Sequence, residues 1–269
     1  MRHEIKTEQF FQHGIENYGT FHGNYLNFGL WENNITDYIA ASENLLTRVA
    51  TKIELNKKAH LLDVGCGMGA QDLFFMRTFA CKNIQALDLT KKHIRLAQAR
   101  NTYPNITYAP GNACILPYPD QQFTHIIGIE APVNFNTRET FFKEAYRVLK
   151  KNGKIGIADF TLTRAPKNII EQSCVRLCAW LWHIPPANRN THQQYQETLE
   201  KTGFTDITIE AVGHHVYKQY YDEQKKVRKI MVNIRGSLVT HIGLFIDYLT
   251  YHLYRSGNIE YVLVNARKR

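Results

Sequence analysis

"HLLDVGCGMGAQ" (residues 60–71) is an apolar run that breaks into three alternate glycines. Leu61 to Val64 has the length and composition of a short buried strand, and Ala70 to Phe79 that of a helix. Gly65, Gly67 and Gly69 therefore lie in the turn between them. A turn directly after a strand needs glycine for positive φ and for close approach of backbone to a ligand, which accounts for all three at once.

Outward from this turn, strand and helix signals alternate without a break. "NIQALDLT" (83–90) reads as a second strand ending near Asp88, after which Thr90 caps a helix over "KKHIRLAQARN" with Ile94, Leu96 and Ala97 on its apolar side. "NITYAPGN" (105–112) is a third strand and "FTHIIGIE" (123–130) a fourth. "TRETFFKEAYRVLKKNG" (137–153) is a helix closing on Gly153, and "KIGIADF" (154–160) a fifth strand. Such alternation predicts an open α/β fold, a parallel sheet with helices on both faces.

Open sheets of this kind bind ligands beyond the carboxyl ends of their strands. The glycine turn, Asp88, Asn112 and Glu130 then become neighbours in space. An acid at the end of the second strand can accept hydrogen bonds from both hydroxyls of a ribose, so the expected ligand is a nucleoside. Gly65, Gly67 and Ala70 satisfy the dinucleotide pattern G-x-G-x-x-A, whose pyrophosphate would sit on the helix N-terminus. Asp63, two residues ahead of the first glycine, opposes a pyrophosphate and favours a cation. S-adenosylmethionine, a nucleoside with an ammonium group, fits that charge better. A glycine turn that merely packs would leave Asp88 unexplained.

"LLDVGCGMG", "ALDLT", "GNACILPYPDQQFTHIIGIEAPVNF" and "EAYRVLKKNGKIGIADF" resemble, in order and spacing, consecutive motifs of the class I S-adenosylmethionine-dependent methyltransferases with a Rossmann-like fold. The likeness runs from about residue 25 to residue 160. Within that family the chain is most similar to the small-molecule group of natural-product and sugar O-methyltransferases, tocopherol methyltransferases and lipid phthiotriol-type O-methyltransferases. The resemblance implies a seven-stranded, mostly parallel sheet with an antiparallel last strand. It implies that Asp63 orients the turn and the methionine ammonium, while Gly65, Cys66 and Gly67 bring backbone against the methionine part. Asp88 would hold the ribose and Leu89 would lie on the adenine. Asn112 stands where the family usually has Asp; its side-chain oxygen can still accept from the adenine amino group, beside the backbone of Ala113. Thr124 also replaces a usual Asp and has no assigned role. "YGTFHGNYLNFGLW" (18–31) resembles the family's N-terminal aromatic lid, so that Tyr18, Tyr25, Phe28 and Trp31 would exclude water from the sulfonium; core packing is the equal alternative.

A chain of 269 residues with 44% hydrophobic content suits one elaborated domain. The expected division is a helical lid over 1–50, a cofactor-binding core over 51–164, and helical cap insertions over 165–190 and 216–255. The net charge of +9 suits an anionic partner without choosing one. The N-terminus lacks an apolar stretch of signal-peptide length, so a cytoplasmic location is expected. Cys66, Cys81, Cys114, Cys174 and Cys178 read as reduced thiols, and no metal is expected, because Cys174 and Cys178 have no second ligand pair nearby.

Methyl transfer to a hydroxyl benefits from a general base. Glu130 at the exit of the fourth strand and Asp159 at the exit of the fifth are the leading candidates, and Glu130 is also a candidate for cofactor binding. His183, His214 and His215 are further candidates from the cap. The expected acceptor is a small, largely apolar molecule, methylated on oxygen before carbon or nitrogen. Nucleic acid stands behind it, since "EAPVNF" occupies the place where base-amine methylases carry [DN]-P-P-[YFW]. A cofactor-binding protein without turnover is the remaining class. Ser237 to Tyr254 is apolar but holds His241, Asp247 and His252, which favours a cap helix over a membrane span. Lys225, Lys226, Arg228 and Lys229 leave weak contact with an anionic membrane surface as a secondary reading. The oligomeric state is left open.

Overall fold

A computed structural model describes residues 2–12, 22–235 and 237–269, with the backbone alone described for residues 2, 10, 12, 231–235 and 237–240. Its centre is a seven-stranded sheet in the order β3-β2-β1-β4-β5-β7-β6. The strands are β1 (His60–Val64), β2 (Asn83–Asp88), β3 (Ile106–Pro110), β4 (Phe123–Ile129), β5 (Leu149–Leu162), β6 (Phe204–Ala211) and β7 (Ile259–Lys268). β1 to β5 pair in parallel, and β7 is antiparallel to both β5 and β6.

Alternation along β1 divides the core between two faces. Leu61 joins Ile84, Ile127, Leu45 and Phe75 in one cluster, whereas Leu62 and Val64 join Ile126, Phe141 and Phe142 in the other. Burial on both faces is the reason these strands read as continuous apolar runs. The first cluster is covered by α2 (Tyr38–Lys52) and α3 (Ala70–Phe79), the second by α5 (Arg138–Val148) and α7 (His192–Thr202). Local chemistry sets the helix starts: the Asp37 side chain accepts from Ala40 N–H, Thr137 from Thr140 N–H, and Thr191 with Gln194 forms a capping box. α1 (Arg2–Gln12) and α4 (Lys91–Arg100) are further helices among the described residues.

Two local expectations are corrected. Thr90 occupies the N-cap of α4 without a side-chain cap bond, and its N–H donates to Asp88 Oδ1 at 2.7 Å. α5 stops at Val148 rather than closing on Gly153: Leu149 already pairs with Phe123, Lys154 pairs with His125, and the residues between form a bulge. β6 ends at Ala211, and His214 and His215 follow in a single 3-10 turn, Gly213–His215, with their rings 3.9 Å apart. Thr124 gains a role: its hydroxyl accepts from His60 N–H at 2.9 Å and ties the start of β4 to the start of β1.

The cap comprises α6 (Ile169–Leu181), α8 (Tyr217–Arg235) and α9 (Ser237–Arg255). Val175 and Cys178 of α6 pack on Leu249 and Leu253 of α9. Arg228 Nη2 of α8 meets the buried Asp247 Oδ2 of α9 at 2.7 Å. Among the described residues no helix is long and apolar enough to cross a membrane. Of the four cations considered for membrane contact, Arg228 is engaged by Asp247, Lys225 by Asp222 and Lys226 by Glu223.

The chain leaves β1 toward β2 and β3, then crosses back to β4 on the other side, so the carboxyl ends of β1 and β4 open a crevice. Gly65 has φ +84° there, and a Cβ on it would lie 2.2 Å from the Ala131 Cβ beyond β4. Gly65→Ala should cost about 1–3 kcal/mol in urea unfolding, through the disallowed backbone region and the clash together. An unchanged midpoint would show that the two loops do not meet.

Candidate active site

Beyond the carboxyl ends of the strands lies a cavity of about 540 Å³. Its floor is the glycine turn, with Gly65, Cys66 and Gly67 in the wall beside Asp88, Leu89 and Asn112. Gly65 and Cys66 donate their N–H groups to Leu87 O at 2.7 and 3.1 Å, which fastens the turn to the end of β2. Gly67 N–H donates to Asp88 Oδ2 at 2.9 Å, while Asp88 Oδ1 accepts from Thr90 N–H and lies 3.2 Å from His93 Nδ1. Burial works against the Asp88 charge; His93 and the two amides outweigh it and hold the carboxyl below its usual range. The result is a fixed carboxylate at the rim of the cavity.

Asp63 departs from expectation. It is fully buried beneath the turn rather than in the cavity wall, and its Oδ2 accepts from Gln71 Nε2 at 2.6 Å. Gln71 does line the cavity, so Asp63 acts on that space at one remove. Beside it Asp72 is equally buried. Burial pushes Asp63 up to about 6, and burial with the neighbouring Asp63 charge pushes Asp72 well above its usual range. Burial and mutual repulsion therefore disfavour ionising both carboxyls at once. Asn112 and Ala113 line the cavity, but Asn112 Oδ1 already accepts from Cys114 N–H at 2.9 Å, closing its own loop.

The segment before α2 covers the opening. Tyr25 and Phe28 line the cavity, and the Phe28 ring stacks on Tyr220 of α8 at 3.8 Å and 6°. Trp31 packs behind them, donating Nε1–H to Phe28 O at 2.9 Å, and is not in the wall. Tyr18 lies outside the described residues. α1 adds His3, Glu4, Thr7 and Phe11 to the wall, anchored by His3 Nε2 at 3.0 Å from Asn134 O and by Asn136 Nδ2 donating to Glu4 Oε1 at 3.2 Å. Neither these residues nor His93 was anticipated. Their contacts join distant segments and leave no trace in periodicity.

Glu130 is the candidate base that the fold brings to the cavity. Its Oε1 accepts from Phe28 N–H at 2.7 Å and from Tyr261 Oη–H at 2.6 Å. Burial pushes its carboxyl up to about 8 against these two bonds, with the Asp159 charge adding to the rise.

Asp159 is corrected as a base. It is wholly buried, outside the cavity, and spent on structure: Oδ2 meets Arg138 Nε at 2.8 Å and accepts from Tyr195 Oη–H at 3.1 Å, and Oδ1 accepts from Phe160 N–H. His183 is also corrected, since the chain turns at that residue, with φ +56°, and presents Trp182 and Ile184 to the cavity instead. His214 and His215 lie outside it as well, and His215 Nε2 is 3.9 Å from Glu32.

The family model described as a methyltransferase domain matches residues 62–157. The erythromycin 3''-O-methyltransferase of Saccharopolyspora erythraea is 28% identical over 214 residues, 76% of this chain and 69% of that one. The O-methyltransferase resE of Aspergillus sclerotiorum is 26% identical over 84% of this chain and 88% of its own. In fold, the cyclopropane synthase MmaA2 from Mycobacterium tuberculosis superposes with a TM-score of 0.82 at 18% identity, covering 96% of this chain and 95% of that one. Residues 62–157 are a methyltransferase domain, and the chain is an S-adenosylmethionine-dependent methyltransferase with a class I, Rossmann-like fold. Its residues fit that cofactor: the turn brings backbone to the cavity wall, Asp88 offers a fixed acceptor to a diol, and the Asp63 carboxyl lies below the turn, linked to the cavity through Gln71.

Two outcomes check this geometry. Asp88→Ala should weaken S-adenosylhomocysteine binding about 10- to 100-fold in calorimetry, as expected for losing hydrogen bonds to a charged acceptor; unchanged affinity would remove Asp88 from the site. Asp159→Asn should destabilise the fold by about 3–5 kcal/mol in urea, since it leaves Arg138 buried without its anion. Full stability with lost turnover would restore Asp159 as a base.

Proposed function

We propose that this methyltransferase acts on a hydroxyl of a small, largely apolar acceptor held between the cap helices and the strand ends. The observation that carries this reading is the wall itself: Phe28, Phe160, Leu162, Val175, Trp182 and Leu253 line the same cavity as the Glu130 carboxyl. The erythromycin and resE relatives are both O-methyltransferases, which supports oxygen as the acceptor atom. In this reading the whole chain works as one unit, with 1–50 covering the site, 51–164 holding the cofactor, and 165–190 with 216–255 framing the acceptor.

The cofactor supplies a methyl group on a cationic sulfur, already a good electrophile. What the protein must add is position, exclusion of water and a place for the hydroxyl proton. Gly65, Cys66 and Gly67 bring backbone against the methionine part, Asp88 accepts from the ribose, and Leu89, Asn112 and Ala113 face the adenine. Tyr25 and Phe28 shut the sulfonium from solvent. Glu130 Oε1 is occupied by Phe28 and Tyr261, so Oε2 is the oxygen left for an acceptor hydroxyl. Its raised pKa matches it to proton removal near neutral pH.

The sign of the pH dependence follows. Glu130 must be unprotonated to accept, so kcat/KM for the acceptor should rise with pH and level off at or below about 8, the positive sulfonium pulling the value down. Glu130→Gln should abolish this ascending limb and cut kcat, by roughly 10²- to 10⁴-fold for a lost general base. A Glu130→Gln enzyme with normal kcat and an intact ascending limb would show that Glu130 only anchors the lid.

A further inference from the structure

Arg189 is, among the described residues, the sole Arg or Lys in the cavity wall. The cavity's carboxylates are engaged elsewhere: Glu130 with Phe28 and Tyr261, Asp88 with Gly67, Thr90 and His93, Glu4 with Asn136. No described Asp or Glu forms an ion pair with Arg189. Its Nη2 reaches only Ile184 O, at 3.5 Å, and its Nε is buried without a hydrogen-bond partner. Burial, and after it the like charge of Arg176, lower its pKa.

The backbone on either side is held firmly. Asn188 accepts from Arg138 N–H at 2.9 Å and donates to Val133 O and Phe135 O at 2.9 and 2.7 Å. Asn190 Oδ1 accepts from Arg138 Nη1 at 3.2 Å, and Asn190 O accepts from Leu162 N–H at 2.8 Å. A half-buried guanidinium in a largely apolar wall, with its Nε donor buried and unsatisfied, is completed by an anion that takes that donor. Its planar fork suits a carboxylate or phosphate taken through two oxygens.

We propose that Arg189 receives an oxyanion, carboxylate or phosphate, carried by the acceptor, so that the substrate is an amphipathic acid with an apolar body in the cap side of the cavity. This rests on the reading of that side as the acceptor site. Trp182 and Ile184, which flank the same wall, take the carbon skeleton next to the charged end. The hydroxyl to be methylated lies toward Glu130.

The test is calorimetry on protein saturated with S-adenosylhomocysteine, with octanoate, octyl phosphate and 1-octanol as probes, in wild type, Arg189→Met and Arg189→Lys. The expected result is that at least one of the two anions binds wild type ten-fold or more tightly than 1-octanol. Arg189→Met should erase that preference and Arg189→Lys keep part of it, with S-adenosylhomocysteine affinity equal in all three; octanoate against octyl phosphate distinguishes the two oxyanions. No preference in wild type, or a preference that survives in Arg189→Met, overturns the proposal. Loss of S-adenosylhomocysteine affinity in Arg189→Met also overturns it, by assigning the guanidinium to the cofactor's own carboxylate. Wild type that fails to bind S-adenosylhomocysteine would instead sink the cofactor reading beneath it.

Discussion

The contact between Gly65 and Ala131 is the constraint on which the site depends. β1 and β4 pair at the point where the sheet reverses its order, so the loops that leave them must pass each other at van der Waals distance. A glycine at positive φ allows this, and no side chain fits between. Because Gly65 is also fastened to Leu87 O, the ends of β1, β2 and β4 are set relative to one another. That fixes the glycine turn, Asp88 and Glu130 around one space before any ligand arrives.

Burial then gives the same few groups different properties. Asp88 receives enough hydrogen bonds to stay ionised at the rim, whereas Glu130 receives two on one oxygen and is pushed upward. One of those two comes from the Phe28 amide, which belongs to the cover of the site. The covering segment and the candidate base are therefore a single hydrogen-bonded unit, and opening the cover would change the environment of the carboxylate. The aromatic stack of Phe28 on Tyr220 ties the same segment to α8.

The parallel sheet, the glycine turn and Asp88 were legible because each rests on local pattern: a run of apolar residues, a break, an acid at a strand end. The antiparallel β7 came from the family likeness, and the structure agrees. What the sequence concealed depends on partners far away in the chain. Asp159 occupies a strand-end position that suggests catalysis, yet Arg138, 21 residues earlier, and Tyr195, 36 later, claim it for the core. Asp63 lies below the turn rather than in the cavity wall, where Gln71, in the first turn of α3, donates to it. Arg189 drew no notice, since a lone cation beside prolines looks like surface until the cavity around it is seen.

The central claim is that the turn after β1 holds a nucleoside bearing a cation, in contrast to a pyrophosphate. Parallel calorimetric titration of the full chain with S-adenosylhomocysteine and with NAD tests it most directly. The account predicts saturable binding of S-adenosylhomocysteine with one site per chain and none of NAD. Binding of NAD alone would contradict it and return Gly65, Gly67 and Ala70 to a dinucleotide fingerprint.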